Sequence, residues 1–197
     1  MKKTSTLTLA QLGIFSGIII LLTFTPLGFI PLGAVSATTI HIPVIIGAIV
    51  LGPKLGTVLG AVMGVFSLIR AVAAPASPLD YLFWNPIISV LPRIFIGLIA
   101  ALVFIGIRKL IKNKASTAIA AGIAAAAGTL TNTVLVLGAL VLIYPQQMGV
   151  ARSDVLTVIF SSIVAVNGVI EIVSAIVLSI PIAMALLRMK ARMKAYQ

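Results

Sequence analysis

Long apolar segments separated by short polar connections make up most of the chain. Six of them are candidates to cross the hydrocarbon core of a bilayer, which is about 30 Å thick and needs about 20 helical residues. The pattern places these spans at about 7–24, 39–51, 55–73, 86–107, 117–143 and 155–187. The second span is short and contains Pro43, whereas the sixth is long enough to tilt. We therefore predict an all-α, six-helix membrane bundle that forms a single domain over residues 1–197.

The composition agrees with an integral membrane protein. Hydrophobic residues make up 61% of the 197 residues and charged residues 9%, whereas ordinary soluble domains carry about 25% charged residues. The net charge of +11 is compatible with a nucleic-acid partner, but the basic residues lie at the ends of apolar runs, as membrane topology requires. We therefore expect no nucleic acid. The chain has no cysteine, which excludes disulfides and thiolate metal sites.

The basic residues also predict the orientation of the spans. Eleven of the fourteen lie at the N-terminus, after the second span, after the fourth span and at the C-terminus: Lys2, Lys3, Lys54, Arg108, Lys109, Lys112, Lys114, Arg188, Lys190, Arg192 and Lys194. With six spans, all of these segments fall on one side of the membrane. Positively charged loops are retained in the cytoplasm, so we predict that both termini are cytoplasmic.

The last three spans each carry a polar stripe at helical spacing. The stripes consist of Asn85, Ser89 and Arg93, of Thr129, Asn132 and Thr133, and of Asn167, Glu171 and Ser174. At 1.5 Å per residue, Arg93 lies about 10 Å, Asn132 about 16 Å and Asn167 about 18 Å from the outer ends of their spans. We expect these three to share a chamber in the outer half of the bundle. The same count puts Glu171 about 14 Å beneath Arg93.

A charged residue inside a span is costly, about 2.5–3.5 kcal/mol at the centre of a helix. This cost could be offset if Arg93 binds an anionic ligand. Alternatively, Arg93 could pair with Glu171 or with carbonyls freed by Pro92. The asparagines and threonines could equally form hydrogen bonds that hold neighbouring helices together. Trp84 and Tyr81 could be walls of the site or anchors at the membrane interface.

Several chemistries lack the residues that they need. His41 has no second histidine and no nearby carboxylate, so we expect it to be a packing residue and the chain to bind no metal or cofactor. No nucleophile–base pair or phosphate-binding loop is evident, so we do not expect an enzyme. A self-sufficient secondary carrier of a small anion stays open as an alternative, as does a membrane subunit without a ligand. The chain has three acidic residues, which leaves few carboxylates that could bind a coupling proton or sodium ion.

One continuous segment carries a family resemblance. Residues 37–71 read "ATTIHIPVIIGAIVLGPKLGTVLGAVMGVFSLIRA", in which an I-H-I-P helix entry is followed by an L-G-P-K-x-G turn and a glycine-rich helix. This segment resembles the substrate-binding S-components of energy-coupling factor (ECF) vitamin transporters, most of all those for pantothenate. The six spans and basic cytoplasmic ends match the same family along nearly the whole chain.

The resemblance implies a multi-pass protein of a prokaryotic plasma membrane that binds a vitamin from outside, and the subfamily implies that this vitamin is pantothenate. It implies docking on a shared transmembrane T-component that works with two cytoplasmic ATPase subunits. The docking face of the family uses an A-x-x-x-A-like motif in the first helix. Here Gly13 and Gly17 supply that spacing and Ala10 lies one turn earlier, so the motif is altered. Hydroxymethylpyrimidine, folate and riboflavin are the alternative vitamins.

Pantothenate offers one carboxylate, an amide and two hydroxyls. A guanidinium can bind the carboxylate in a bidentate pair, and asparagine can both donate to and accept from an amide or hydroxyl. The predicted substrate-binding residues are therefore Arg93, Asn85, Trp84, Tyr81, Asn132, Thr129, Asn167 and Ser89.

Overall fold

Helices account for nearly all of the described chain. The structure is a computed structural model that describes residues 6–32, 35–75, 80–111, 115–164 and 166–195, without the side chains of 29–37, 162–164, 166, 167, 194 and 195. The helices are α1 (Thr6–Phe24), α2 (His41–Leu51), α3 (Pro53–Ala73), α4 (Pro86–Ser89), α5 (Leu91–Leu110), α6 (Ser116–Ile143), α7 (Pro145–Met148), α8 (Val155–Val164) and α9 (Val166–Ala195). Single 3-10 turns occur at Pro26–Gly28, Asp80–Trp84 and Arg152–Asp154.

Among the described residues, five helical segments are long and apolar enough to cross a bilayer. They are Thr6–Phe24, Pro53–Ala73, Pro86–Leu110, Ser116–Ile143 and Gly168–Met193. The protein is thus a multi-pass, helical membrane protein, and the all-α class is confirmed for its membrane part. The predicted second span is a helix of 11 residues, which is only about 16 Å long at 1.5 Å per residue. The count of six spans is therefore not confirmed.

The short helix α2 forms the centre of the core. Every residue from His41 to Val50 is buried, and α2 contacts α1, α3, α5, α6 and α9. A helix that is apolar on all sides is expected to be surrounded by other helices. Gly52 alone separates α2 from α3, with a φ of 92°, a conformation that favours glycine. This tight connection makes α2 and α3 neighbours.

The connection between α1 and α2 is long and contains two prolines and two glycines. In the structure it contains an antiparallel hairpin of β1 (Phe29–Leu32) and β2 (Val35–Thr38), in which Phe29 pairs with Thr38 and Leu32 with Val35. Long connections without secondary structure are uncommon in compact folds, since their backbone polar groups need partners. The hairpin supplies these partners and brings its second strand to α9.

Glycines allow α3 and α5 to approach each other closely. A Cβ atom added at Gly60 would overlap the carbonyl oxygen of Arg93, and one added at Gly64 would come within 2.6 Å of the Cα of Val90. Gly56 likewise faces Gly97. Small residues four apart are typical of tightly packed membrane helices. This stripe on α3 fixes the position of the first turns of α5.

One predicted span is interrupted within the described residues. The predicted span 86–107 consists of the single turn α4 followed by α5. Pro92 has no amide hydrogen, so it cannot continue the helical hydrogen bonds from the preceding turn. The predicted span 155–187 is covered by α8 and α9, which lie on either side of residue 165, outside the described part of the chain.

Candidate functional site

A cavity of about 290 Å³ lies among α1, β2, α3, α5, α6 and the turn at Asp80–Trp84. It lies at the end of the bundle where α5 begins, which is the end predicted to face outward. Its polar lining residues are Thr23, Thr38, Ser67, Arg70, Asp80, Arg93 and Asn132. The sequence prediction that Arg93 and Asn132 share a chamber thus agrees with their positions in the structure.

Arg93 is held at the wall of the cavity by its own chain. One terminal guanidinium nitrogen donates a hydrogen bond to the carbonyl oxygen of Ile88, which lies four residues before Pro92 and so has no helical amide to accept from. The ring of Phe83 lies 5.5 Å from the guanidinium carbon, within the range of a cation–π contact. One N–H donor of Arg93 therefore caps a carbonyl freed by Pro92, which is one of the alternatives that the sequence left open.

That contact leaves much of the guanidinium's hydrogen-bonding capacity available. Arg93 is only 8% exposed, and its buried Nε has no hydrogen-bond partner among the described residues. The guanidinium carries five N–H donors, and leaving a buried donor without a partner costs about 1–3 kcal/mol, more for a charged group. The arrangement can therefore accept an anionic ligand at the face of Arg93 that lines the cavity.

Asn132 contributes a second polar group without a partner. Its side-chain oxygen Oδ1 is buried and accepts no hydrogen bond from the described residues, although the residue lines the same cavity as Arg93. An amide oxygen in this state can accept a hydrogen bond from a ligand hydroxyl or amide. Arg93 and Asn132 thus present complementary chemistry: a cationic donor and a neutral acceptor.

The charged residues of the lining favour an anion. Arg70 and Arg93 provide two positive charges and Asp80 one negative charge, so one positive charge is in excess. A site of low polarity strengthens such an imbalance, because fewer water molecules screen it. Arg70 and Asp80 were not among the predicted site residues. Arg70 lies near the outer end of the third predicted span and Asp80 in the loop that follows it. These positions at the outer side could have indicated that both residues lie near the site.

Glu171 lies closer to the cavity than its counted depth indicated. Its Oε1 accepts hydrogen bonds from the backbone amide of Thr38 at 2.7 Å and from the hydroxyl of Thr38 at 2.9 Å, and Thr38 lines the cavity. The expected gap of about 14 Å was counted along the helix axis, whereas Glu171 lies within hydrogen-bonding distance of a residue that lines the cavity. Glu171 fixes the end of the hairpin at the site.

Thr129 and His41 form a buried pair next to this region. The hydroxyl of Thr129 donates to the carbonyl oxygen of Ala125 at 3.0 Å and lies 3.1 Å from Nε2 of His41. Both side chains are almost fully buried. The contact between the Thr129 hydroxyl and Nε2 of His41 links α2 to α6. Neither residue lines the cavity.

Asn85 and Ser89 serve the turn that precedes Arg93. The side-chain oxygen of Asn85 accepts from the backbone amide of Ile87 at 3.0 Å and caps α4, as asparagine commonly does at a helix start. The hydroxyl of Ser89 donates to the carbonyl oxygen of Asn85 at 3.1 Å. Neither side chain lines the cavity, so the structure places them as support for the break before α5.

The two predicted aromatic walls point elsewhere. Trp84 and Tyr81 are 55% and 46% exposed, and the indole N–H of Trp84 donates to the carbonyl oxygen of Ala71 at 3.0 Å. Of the described aromatic residues, Phe83 lines the cavity. Phe83 was not among the predicted site residues, although it directly precedes Trp84. Asn167 belongs to α9, but its side chain lies outside the described residues.

The fold and the site together define a multi-pass helical membrane protein with a buried cationic cavity at one end of its bundle. Residues 7–183 match the model of the family described as "ECF transporter, substrate-specific component". The chain therefore belongs to the substrate-specific components of ECF transporters. The family predicted from residues 37–71 is confirmed.

Two relatives extend this assignment. The chain is 34% identical over 203 residues to the "Pantothenic acid transporter PanT" of Lactococcus lactis subsp. cremoris, an alignment that covers 94% of this chain and 96% of the relative. It is 31% identical over 189 residues to the "Pantothenate transporter PanT" of Leuconostoc mesenteroides subsp. mesenteroides, covering 90% and 91%. The similarity thus extends over nearly the full length of both relatives.

Proposed function

We propose that this protein is a pantothenate-binding S-component of an ECF importer and that the cavity at Arg93 and Asn132 is its binding site. The observation that carries the proposal is a pair of buried polar atoms at one cavity, Nε of Arg93 and Oδ1 of Asn132, which have no hydrogen-bond partner in the described part of the chain. The names of the two relatives support pantothenate as the substrate. The protein itself is a binding and transport subunit rather than an enzyme.

In this proposal Arg93 binds the carboxylate of pantothenate. Its contact with Ile88 holds the guanidinium in place, so little side-chain freedom is lost when the ligand binds. A carboxylate can accept two parallel hydrogen bonds from a guanidinium. The excess positive charge of the lining favours the same end of the ligand.

The neutral polar groups recognise the rest of the molecule. Asn132 accepts from a hydroxyl or from the amide N–H of pantothenate, and Ser67, on the same cavity wall as Arg70, offers a hydroxyl that can donate or accept. Ser89, Asn85 and Thr129 act indirectly, by holding the break before α5 and the contact between α2 and α6. Asn167, Trp84 and Tyr81 stay predictions for contacts made when the ligand is bound.

The dimensions of the cavity support a small, flexible ligand. Its volume of about 290 Å³ lies at the lower end of the range of about 300–1,000 Å³ for small-molecule pockets. Fused-ring vitamins such as riboflavin or folate need flat stacking surfaces, whereas Phe83 is the aromatic residue that the described lining offers. Pantothenate has no ring and needs no such surface.

Delivery into the cell requires partners in this proposal. The T-component and two ATPase subunits of an ECF transporter would supply docking and ATP hydrolysis. On α1, Ala10, Gly13 and Gly17 are exposed, and a Cβ added at either glycine meets no described atom within 4 Å. This open, small-residue face allows another helix to approach closely, and we assign it to the T-component.

The orientation in the cell membrane follows from the charges at the ends of the helices. The clusters after α5 and at the end of α9 are basic, so both termini face the cytoplasm under the positive-inside rule. The cavity lies at the opposite end of α5 and therefore opens toward the outside. This is the orientation that uptake requires.

A panel of labelled vitamins offered to the purified protein tests the proposed substrate. We expect tight, saturable binding of pantothenate and none of riboflavin, folate or hydroxymethylpyrimidine; preference for one of these would contradict the proposal. Uptake in cells that make this chain alone, compared with cells that also make the energising subunits, tests the mode of transport. Uptake that is independent of ATP hydrolysis would favour the secondary carrier.

A further inference from the structure

A second cavity lies at the other end of the bundle. It has a volume of about 280 Å³ and is lined by Arg108, Thr117, Met184, Leu187, Arg188 and Ala191. Arg108 follows Arg93 by 15 residues along the same helical segment, a distance of about 22 Å along the axis at 1.5 Å per residue. The ends of α5, α6 and α9 therefore form a pocket that is separate from the candidate substrate site.

The charge of this pocket is not balanced within the chain. The whole sequence contains three acidic residues, Asp80, Asp154 and Glu171. Asp80 lines the substrate cavity, Glu171 binds Thr38, and Asp154 lies in the turn before α8. Two guanidinium groups thus line one cavity without a carboxylate among its described lining residues. Like charges brought together in this way are stabilised by a bound anion.

The donors at the pocket match a tetrahedral oxyanion. The guanidinium carbon of Arg108 lies 6.0 Å from the ring of Phe104, a contact that orients the group. Thr117 lies in the first turn of α6, and its hydroxyl can donate to the same ligand. Arginine forks pair with phosphate oxygens in a bidentate manner. Phosphate is therefore the group that the two arginines fit.

The remaining walls of the pocket are apolar. Met184, Leu187 and Ala191 all belong to α9, within the segment Gly168–Met193 that is apolar enough to span a bilayer. A ligand that fills the pocket thus meets arginines at one side and hydrocarbon at the other. Basic pockets between membrane helices on the cytoplasmic side are typical sites for anionic lipid headgroups.

We propose that this cavity binds a phosphate group through Arg108 and Arg188. The phosphate can belong to the headgroup of an anionic phospholipid or to inorganic phosphate, and the apolar wall on α9 favours the lipid. Such a site would hold the ends of α5, α6 and α9 together at the membrane surface. It is independent of the vitamin site at the other end.

The test uses the purified, delipidated full-length chain and labelled phosphatidylglycerol in mixed micelles, with phosphatidylcholine as the zwitterionic comparison. The double variant Arg108→Gln/Arg188→Gln should bind phosphatidylglycerol about 25-fold more weakly, since each basic residue near a charged headgroup contributes a factor of about five. Each single variant should lose about a factor of five. Lys109→Gln, next to Arg108 but outside the lining, should lose clearly less than either single arginine variant.

Competition with inorganic phosphate separates the two sources. Displacement of the lipid at millimolar phosphate, lost in the double variant, identifies free phosphate as a sufficient ligand; the absence of displacement identifies the lipid. The proposal is overturned if the double and single variants bind phosphatidylglycerol like wild type, or if Lys109→Gln loses as much. Unchanged lipid binding with failed assembly on the energising subunits would assign the arginines to a protein interface instead.

Discussion

The carboxylate of Glu171, on α9, accepts both the backbone amide and the hydroxyl of Thr38, the last residue of β2. The two residues are 133 positions apart in sequence, and Thr38 lines the candidate substrate cavity. A charged acceptor makes these hydrogen bonds stronger than neutral ones. Glu171 therefore connects the hairpin between α1 and α2 to the last helix of the bundle.

This contact predicts a local effect of replacing Glu171. In Glu171→Ala the amide of Thr38 should exchange with solvent about ten- to a hundredfold faster, because a hydrogen bond to a charged group contributes about 1.5–3 kcal/mol. Hydrogen exchange with mass spectrometry of the hairpin peptide measures this change. Glu171→Gln retains an oxygen acceptor and should show a smaller increase. Unchanged exchange in Glu171→Ala would mean that the hairpin is held by other contacts.

A second prediction concerns the close approach of α3 and α5. Gly60→Ala should lower the thermal unfolding midpoint in detergent, because the added methyl overlaps the carbonyl oxygen of Arg93 and overpacking costs about 1–3 kcal/mol. It should also weaken pantothenate binding by displacing Arg93. Gly106→Ala is the matched control, since a Cβ there meets nothing within 4 Å. Equal midpoints for the two variants would contradict the packing described.

The sequence predicted the membrane class and five of the long helices, because apolar runs and their basic ends follow from bilayer thickness and charge. It also placed Arg93 and Asn132 at one cavity by counting residues along helices. The short helix α2 was also predicted as a span, which the structure does not confirm. All of its residues from His41 to Val50 are buried among other helices, and composition does not distinguish a helix buried in protein from one buried in lipid.

The contacts that cross the chain could not be predicted in the same way. The hairpin at Phe29–Thr38 depends on partners within its own loop and on Glu171, far away in sequence. The roles of Asn85 and Ser89 depend on the break that Pro92 introduces before α5. Periodicity showed that these polar residues share a face. It did not show whether that face meets a ligand or the backbone.

The proposed orientation can be tested with single cysteines, since the natural chain has none. Ala115 and Gln147 are exposed at opposite ends of α6. A membrane-impermeant thiol reagent added to intact cells should label Gln147→Cys and should label Ala115→Cys only after the cells are opened. The reverse pattern would invert the topology and place the substrate cavity on the cytoplasmic side.

The docking face on α1 gives a prediction that separates assembly from binding. Gly13→Leu should reduce co-purification with the T-component, because the bulky side chain fills an open small-residue face, while pantothenate binding stays unchanged. Gly106→Leu makes the same substitution at another open position of the bundle and should assemble normally. Loss of vitamin binding together with normal assembly would show that the Gly13 face packs within the bundle.

The central claim is that Arg93 binds the carboxylate of pantothenate, and substitutions of Arg93 test it. Arg93→Ala should weaken pantothenate binding by about 2–5 kcal/mol, the cost of removing one partner of a buried charged pair. Arg93→Lys keeps the charge but loses the planar fork, so its affinity should fall between those of wild type and Arg93→Ala. Arg152→Ala removes an exposed arginine outside the cavity and should bind as wild type does.

The most direct measurement compares pantothenate with pantothenol, which has a hydroxyl in place of the carboxylate, by equilibrium binding to purified wild type and Arg93→Ala. Wild type should strongly prefer the acid, and Arg93→Ala should bind acid and alcohol with nearly equal affinity because the cation that distinguishes them is gone. An Arg93→Ala protein that still prefers the acid as strongly as wild type would contradict the account. Arg93 would then serve only its contact with Ile88, and Arg70 would be the cation that binds the carboxylate.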